Sequence, residues 1–295
     1  MKINKIIAFL LACFMMVTMV AFTSCDDDEA LPTGNDSSDT TSENNDDASD
    51  TTNDSANHTG GISEEALQVL KDAFEKSSQS KNYTQTTTVS GTQSYNGNGQ
   101  EVSWCEIQNM TQTQKVDEDK RETKETQIVK YSPNDPWKTE TRWFFRKYTS
   151  ENEGISYYWD EESGAWETGS FSSVGSSNNN FWTGKLEDMY SQLQHDESTG
   201  IYSLAEYNAD DIAIEFFLGR NIEIESGEAT ARYRDIEIEL RDGYIYRFHM
   251  VLDVRMDVVI ENQGETYFLK GEMLQTQTII FSNYGTTVVT LPVVD

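Results

Sequence analysis

Residues 231–256, ARYRDIEIELRDGYIYRFHMVLDVRM, constrain the fold more than any other stretch of this chain. Apolar and polar residues alternate on both sides of Asp242-Gly243. A period of two puts every second side chain on one face of a strand. Asp-Gly is the dipeptide that two-residue hairpin turns favour, because both turn positions need a positive φ. Two long strands joined this way are marginal alone in water, so they need further strands and a packing layer.

The chain supplies more strands of the same kind. NYTQTTTVSGTQSY, a turn at Asn96-Gly97-Asn98-Gly99 and QEVSWCEIQNMTQTQ read as a second long hairpin. ETQIVKY, ETRWFFRKYT and GISYYWD follow, then a short hairpin across Ser163-Gly164. ETYFLKGEMLQTQTIIFSNYG and TTVVTLPV complete the set. Thr and Gln recur at alternate positions, a pattern expected on a solvated sheet face whose reverse is apolar. The reading is one broad antiparallel sheet.

Three helices are expected beside it. Ser63 is an N-cap residue, Glu64 and Glu65 follow in the first turn, and Ile62 and Leu67 are placed as a hydrophobic staple. Leu67, Leu70 and Phe74 then repeat at helical spacing. KLEDMYSQLQ sets Leu186, Met189, Tyr190 and Leu193 on one helical face. NADDIAIEFFLG fits a strand through Ile212, Ile214 and Phe216. It fits a helix more fully, with Asn208 as N-cap and Gly219 at its end.

The N-terminal part is of another kind. Lys2 and Lys5 precede a nearly all-apolar run from Ile6 to Phe22, and Ser24-Cys25 is followed at once by acids. Residues 1–24 read as an export signal, with a retained anchor helix as the alternative. Phe22-Thr23-Ser24-Cys25 resembles the cleavage site of bacterial lipoprotein signals, which implies lipid attachment at Cys25. Cys13 is a weaker candidate, since cutting there leaves a very short apolar core. A Cys25–Cys105 disulfide is the other alternative; otherwise Cys105 has no partner. Residues 25–61 read as an acidic tether. Positions 26–60 hold 11 of the 51 acids and no Lys or Arg, too polar to offset chain entropy by burial. A flexible chain of about 35 residues reaches about 30 Å. Residues 62–295 are expected to form a single domain.

That domain is acidic too. Without residues 1–60, 20 bases face 40 acids, or −20 of the formal −29. Such a surface repels phosphate backbones, which argues against nucleic acid as a partner. No G-x-S-x-G, Walker loop, HExxH, CxxC or EF-hand loop occurs, so the chain is expected not to be an enzyme and to hold no metal or cofactor. His58 lies in the tether, His195 at an expected helix end and His249 in a strand. They share no zinc-ligand spacing. The acidic runs Asp117-Glu118-Asp119 and Asp160-Glu161-Glu162 read as solvated turns.

The opening EEALQVLKDAFEKSSQSKNYTQTTTV, the central YRDIEIELRDGYI and the closing FSNYGTTVVTLP resemble bacterial lipoprotein carriers and lipid-binding lipoproteins of the LolA, LolB and LppX type. They resemble uncharacterised, lipid-anchored Gram-positive members more than the periplasmic carriers. The resemblance spans about residues 62–295. It implies an α+β fold, a large curved antiparallel sheet (a half-barrel) with about three helices packed on its concave face. It also implies an apolar concavity able to hold acyl chains. The candidate lining is Trp143, Phe145, Tyr157, Trp159, Phe248 and Met250. Aromatics are dense from Trp137 to Trp166, where core packing and a sugar-stacking platform are competing explanations. The expected function is a lipid-anchored protein of the bacterial envelope, its domain extracytoplasmic. Its partners would be the membrane, through the N-terminal lipid, and a hydrophobic or lipid-like molecule. A surface lipoprotein binding carbohydrate or polymer through exposed aromatics is the second reading. A structural module with a self-filled core is the third.

Overall fold

The computed structural model describes residues 62–150, 153–160, 163–172, 187–210, 224–262 and 265–294. The signal, Cys25 and the tether lie outside them. The strands are β1 (Asn82–Gly97), β2 (Gln100–Asp117), β3 (Lys120–Lys130), β4 (Lys138–Tyr148), β5 (Glu153–Asp160), β6 (Ala165–Ser172), β7 (Gln194–Asp196), β8 (Ile201–Asn208), β9 (Ile224–Arg241), β10 (Tyr244–Asn262) and β11 (Glu265–Ser282). All eleven form one sheet in the order β6-β5-β4-β3-β2-β1-β11-β10-β9-β8-β7, and the sheet is not closed. The chain enters mid-sheet at β1, walks outward to β6, re-enters at the opposite edge with β7 and returns to β11. β1 and β11 then pair antiparallel from Thr84↔Ser282 to Gly97↔Leu269.

The turns are where their residues require them. Asn98 and Gly99 between β1 and β2, and Asp242 and Gly243 between β9 and β10, all have positive φ, as a type I′ turn demands. Two bulges tune the faces. Asp235, at φ 50, shifts the β9 register, so Ala231 and Tyr233 before it and Ile236 and Ile238 after it are all buried. At Gly91 the backbone passes so close to β11 that a Cβ would stand 2.1 Å from the Leu274 carbonyl oxygen.

Helix α1 (Glu64–Ser78) starts as its sequence dictates, with Ser63 Oγ accepting the Ala66 N–H at 3.2 Å. Its apolar stripe of Ala66, Leu70, Ala73 and Phe74 is buried in one cluster with Ile238, Phe248, Met250 and Ile279. It is bolted to the sheet at both ends. Ile245 N–H donates to Ser77 Oγ at 2.9 Å, and Tyr202 Oη–H donates to the Ala66 carbonyl at 3.1 Å.

Two expectations are corrected, and a third lies largely outside the described residues. Among the described residues there is one full helix, not three. Within KLEDMYSQLQ the helix is the single turn α2 (Glu187–Tyr190), and Gln194 already belongs to β7. The helical spacing arose because Met189, Tyr190 and Leu193 are all buried. A turn plus an extended segment achieves that as well as a helix would, and the β7–β8 ladder decides between them. Of NADDIAIEFFLG, Asn208 ends β8 and its Oδ1 accepts the Asp210 N–H at 2.9 Å; residues 211–223 lie outside the described part. TTVVTLPV is not a strand. Side chains hold its backbone instead, with Thr287 N–H donating to Asn82 Oδ1 and Val289 N–H to Asp117 Oδ2.

The Thr and Gln alternation also resolves differently. Thr84, Thr86 and Thr88 face away from α1, but Gln85, Gln112, Gln114, Gln127 and Gln275 point to the helix side and are buried. What looked like one solvated face is an outward row of Thr and an inward row of amides.

Candidate ligand-binding face

In an antiparallel pair, residues opposite each other share a face, so the registers sort the side chains into two surfaces. The face under α1, here the inner face, changes character across the sheet. On β8 to β11 it is apolar, with rows such as Tyr202–Ile238–Phe248–Ile279 and Ala231–Val254–Met273. Its side chains include Met250, Met256 and Met273, each at most 4% exposed; Met is an adaptable lining for irregular shapes. On β1 and β2 amides and hydroxyls share the face with buried Val89, Met110 and Val116. Gln85 Nε2 donates to Thr87 Oγ1 at 3.0 Å, and Gln112 Nε2 to Glu125 Oε2 at 2.9 Å. On β3 and β4 it becomes charged, with Arg121, Glu125, Glu140, Arg142 and Arg146.

The six lining candidates divide between the two faces. Phe248 and Met250 lie on the inner face, 5% and 2% exposed. Phe145 pairs with Glu122, Glu122 with Lys115 and Lys115 with Thr84, which puts it on the outer face. Tyr157 pairs with Phe145, and Trp143 and Trp159 keep the same parity. There Trp143, Phe145 and Trp159 form a cluster around Trp166. Trp143 and Trp159 meet that ring edge-on, at 83° and 71°. Phe145 is buried beneath, while Trp143 is 43% and Trp159 47% exposed. Glu122 anchors the cluster. It accepts the Trp143 indole N–H at 3.1 Å and pairs with Lys115 at 2.8 Å and Lys124 at 3.2 Å. Burial alone would raise a carboxyl's pKa; the hydrogen bonds from Lys115 and Lys124 outweigh it and hold Glu122 below its ordinary value.

The remaining reactive groups are tied into the frame. Burial pushes the Cys105 thiol up to about 11, against a smaller lowering by its hydrogen bond with Gln93, so at neutral pH it is a thiol and not a nucleophilic thiolate. His249 Nδ1 hydrogen-bonds Thr278 Oγ1 at 2.7 Å on the outer face. His195 is in β7 rather than at a helix end and stacks on Tyr202 at 4.4 Å. Burial raises the Tyr83 hydroxyl to about 12, partly opposed by nearby Arg121.

Two inner-face features were missed from the sequence. The amide row was readable as Gln at alternate positions but was assigned to the wrong face. The facing of Arg121 and Arg146 has no local signal, since it needs the β3–β4 register.

No protein-family model matches the chain, and no curated protein does. Among solved structures it is similar to lipovitellin, described for its lipid–protein interactions, at 10% identity and a TM-score of 0.26. The match covers 73% of this chain and 26% of the lipovitellin chain. A likeness that distant leaves the function to be argued from the chain's own residues.

Proposed function

We propose that this is a non-enzymatic, lipid-anchored protein of the bacterial envelope that holds a hydrophobic, lipid-like ligand against the apolar half of the inner face. The sheet would curve as a half-barrel of the LolA, LolB and LppX type, with Cys25 carrying the lipid and residues 25–61 the tether.

One observation carries the ligand reading: the length of the buried apolar row. Phe248, Met250, Leu252, Val254, Met256, Val258 and Ile260 follow one another along β10, all at most 6% exposed. At about 3.3 Å per residue that row is about 40 Å long. An apolar strip of that length, carrying Met250 and Met256 and closed to solvent, suits an extended acyl chain that takes the place of its present cover. Binding would be burial of apolar area, worth about 25 cal/mol per Å², with exchange by opening of α1 and no covalent step.

The outer aromatic cluster favours the second reading, carbohydrate binding, because Trp143 and Trp159 are exposed. It ranks lower on geometry. The Trp rings meet edge to face and give no single flat platform, and Lys124 Nζ already sits 4.3 Å over the Trp143 ring.

The test is the full chain with Cys25→Ser. It is expected to leave the membrane fraction and, in native mass spectrometry, to carry co-purified lipid or take up offered fatty acid. Continued tight membrane retention would overturn the anchor. A clean mass with no uptake would overturn the lipid ligand, and quenching of Trp fluorescence by soluble polysaccharide would then favour the carbohydrate reading.

A further inference from the structure

Arg121 on β3 and Arg146 on β4 are direct register partners. Opposed residues of an antiparallel pair stand about 4.5–5.5 Å apart at Cα and share a face, and like charges so placed repel. The chain has 51 acids for 22 bases, and cations nearby have taken carboxylates. Lys115 and Lys124 hold Glu122, Lys130 holds Glu106, and Arg142 faces Glu125.

The opposed pair has not. Among the described residues neither arginine makes an ion pair, and the Nε of each is buried with no hydrogen-bond partner. Their contacts are with rings. Arg121 lies over Tyr148 at 4.6 Å, and Arg146 over Phe144 at 5.3 Å and Phe171 at 5.1 Å. Stacking fixes the guanidinium planes while leaving the N–H edges unspent. Beyond Arg146 the same row continues with the small residues Ser156 and then Gly169, flanked by Phe171 and Tyr158. On the other side it runs through Val116 to Tyr83, whose ring meets Phe281 of the apolar cluster at 6.0 Å. A buried N–H without an acceptor is costly, and two fixed guanidinium forks on one face match the geometry of carboxylate or phosphate.

We propose that Arg121 and Arg146 bind an oxyanion, a carboxylate or phosphate, carried as the head of an amphiphile whose apolar part lies on the β8–β11 half of the same face. This rests on the lipid reading above. Amides of β1 and β2 lie between the two ends, with Val116 and Tyr83 on the direct row, so an acidic amphiphile would lay its chain on the apolar part and its head at the two guanidinium groups.

The experiment compares oleate, oleyl alcohol and inorganic phosphate by calorimetric titration of the Cys25→Ser chain and of the same chain with Arg121→Gln and Arg146→Gln, singly and together. Oleate is expected to bind the parent at least about tenfold tighter than oleyl alcohol, as one charge-assisted contact suffices to give. The double variant is expected to lose that preference while keeping its affinity for the alcohol. Its unliganded melting temperature should not fall, because the like-charge pair is gone. Equal affinity of the parent for oleate and alcohol overturns the arginine site and leaves the lipid reading standing. Refusal of both, with phosphate bound by the parent and not by the double variant, overturns the lipid reading and keeps the arginines as a site for a free oxyanion. Binding of none of the three overturns both.

Discussion

Glu122 shows how much one side chain settles on the outer face. It is 7% exposed and satisfied by Lys115, Lys124 and the Trp143 indole. Its carboxyl is held below the ordinary value. A group depressed on folding stabilises the fold above its unfolded pKa, about 4.3 for Glu, and that stability fades as pH falls through the folded value. Glu122→Gln keeps the shape and removes the charge. It is expected to cost about 1–3 kcal/mol at pH 7, the usual worth of hydrogen bonds to a charged group. The gap to the parent should close as chemical denaturation is repeated at lower pH, below about 4. A gap that stays constant down to pH 3 would mean that the charge is not what Glu122 contributes. Residues of this kind were partly legible: the parity that puts Trp143 with Phe145 follows from alternation alone. Whether Trp143 and Phe248 share a face does not, since each strand between them adds a register that one bulge can reverse. That is why a single list of lining residues fell on two surfaces.

At the scale of elements, the long strands and their turns were written in alternation and in Asn-Gly and Asp-Gly pairs, and α1 in its cap and stripe. The failures came where tertiary partners decide. Met189, Tyr190 and Leu193 are buried at helical spacing, yet only one turn is helical because Gln194–Asp196 pairs with β8. The glycine that matters most for β1 was equally quiet in the sequence. Gly91 sits at φ 150 with the Leu274 carbonyl where its Cβ would be, at the bulge where the β1–β2 register shifts. Gly91→Ala must push β1 away from β11 at their middle. Overpacking of a tight contact costs about 1–3 kcal/mol, and a lower melting temperature is expected. Faster amide exchange should appear on both sides of β1, at Thr87–Gln93 and Gln275–Ile279. Gly164→Ala, in the β5–β6 turn with nothing within 4 Å of its Cβ, is the control. It shares the strain of a positive φ but leaves the β1–β11 pairing unchanged. Equal exchange in the two variants would show that the close approach at Gly91 is not what limits the strand.

For the molecule as a whole, the topology makes two meanders of one sheet. β1 to β6 are contiguous in sequence, as are β7 to β11, and the sheet joins them along the β1–β11 seam. The helix crosses that division. α1 precedes β1 in the chain, yet it packs on the other meander, through Ile245, Tyr202 and the β9–β10 turn, where Lys76 Nζ donates to the Asp242 carbonyl at 3.0 Å. The two halves are therefore locked twice, by a strand ladder and by a helix donated from one to the other. Residues 187–295 expressed alone lack α1 and leave both the apolar half of the inner face and the β11 edge uncovered, a combination that favours aggregation. Co-expression with residues 62–186, which leave out the signal and Cys25, restores both the ladder and the helix. The pair is expected to co-elute as one soluble complex on size exclusion, while the C-terminal fragment alone appears in the insoluble fraction. Both fragments are acidic, so association should strengthen as salt rises from 0.01 M to 0.15 M and the screening length falls from about 30 Å to about 8 Å. Removing α1 from the N-terminal fragment should abolish rescue although the seam strands remain. If rescue survives that deletion, the ladder alone holds the halves together, and α1 is free to open as a lid without loosening the sheet.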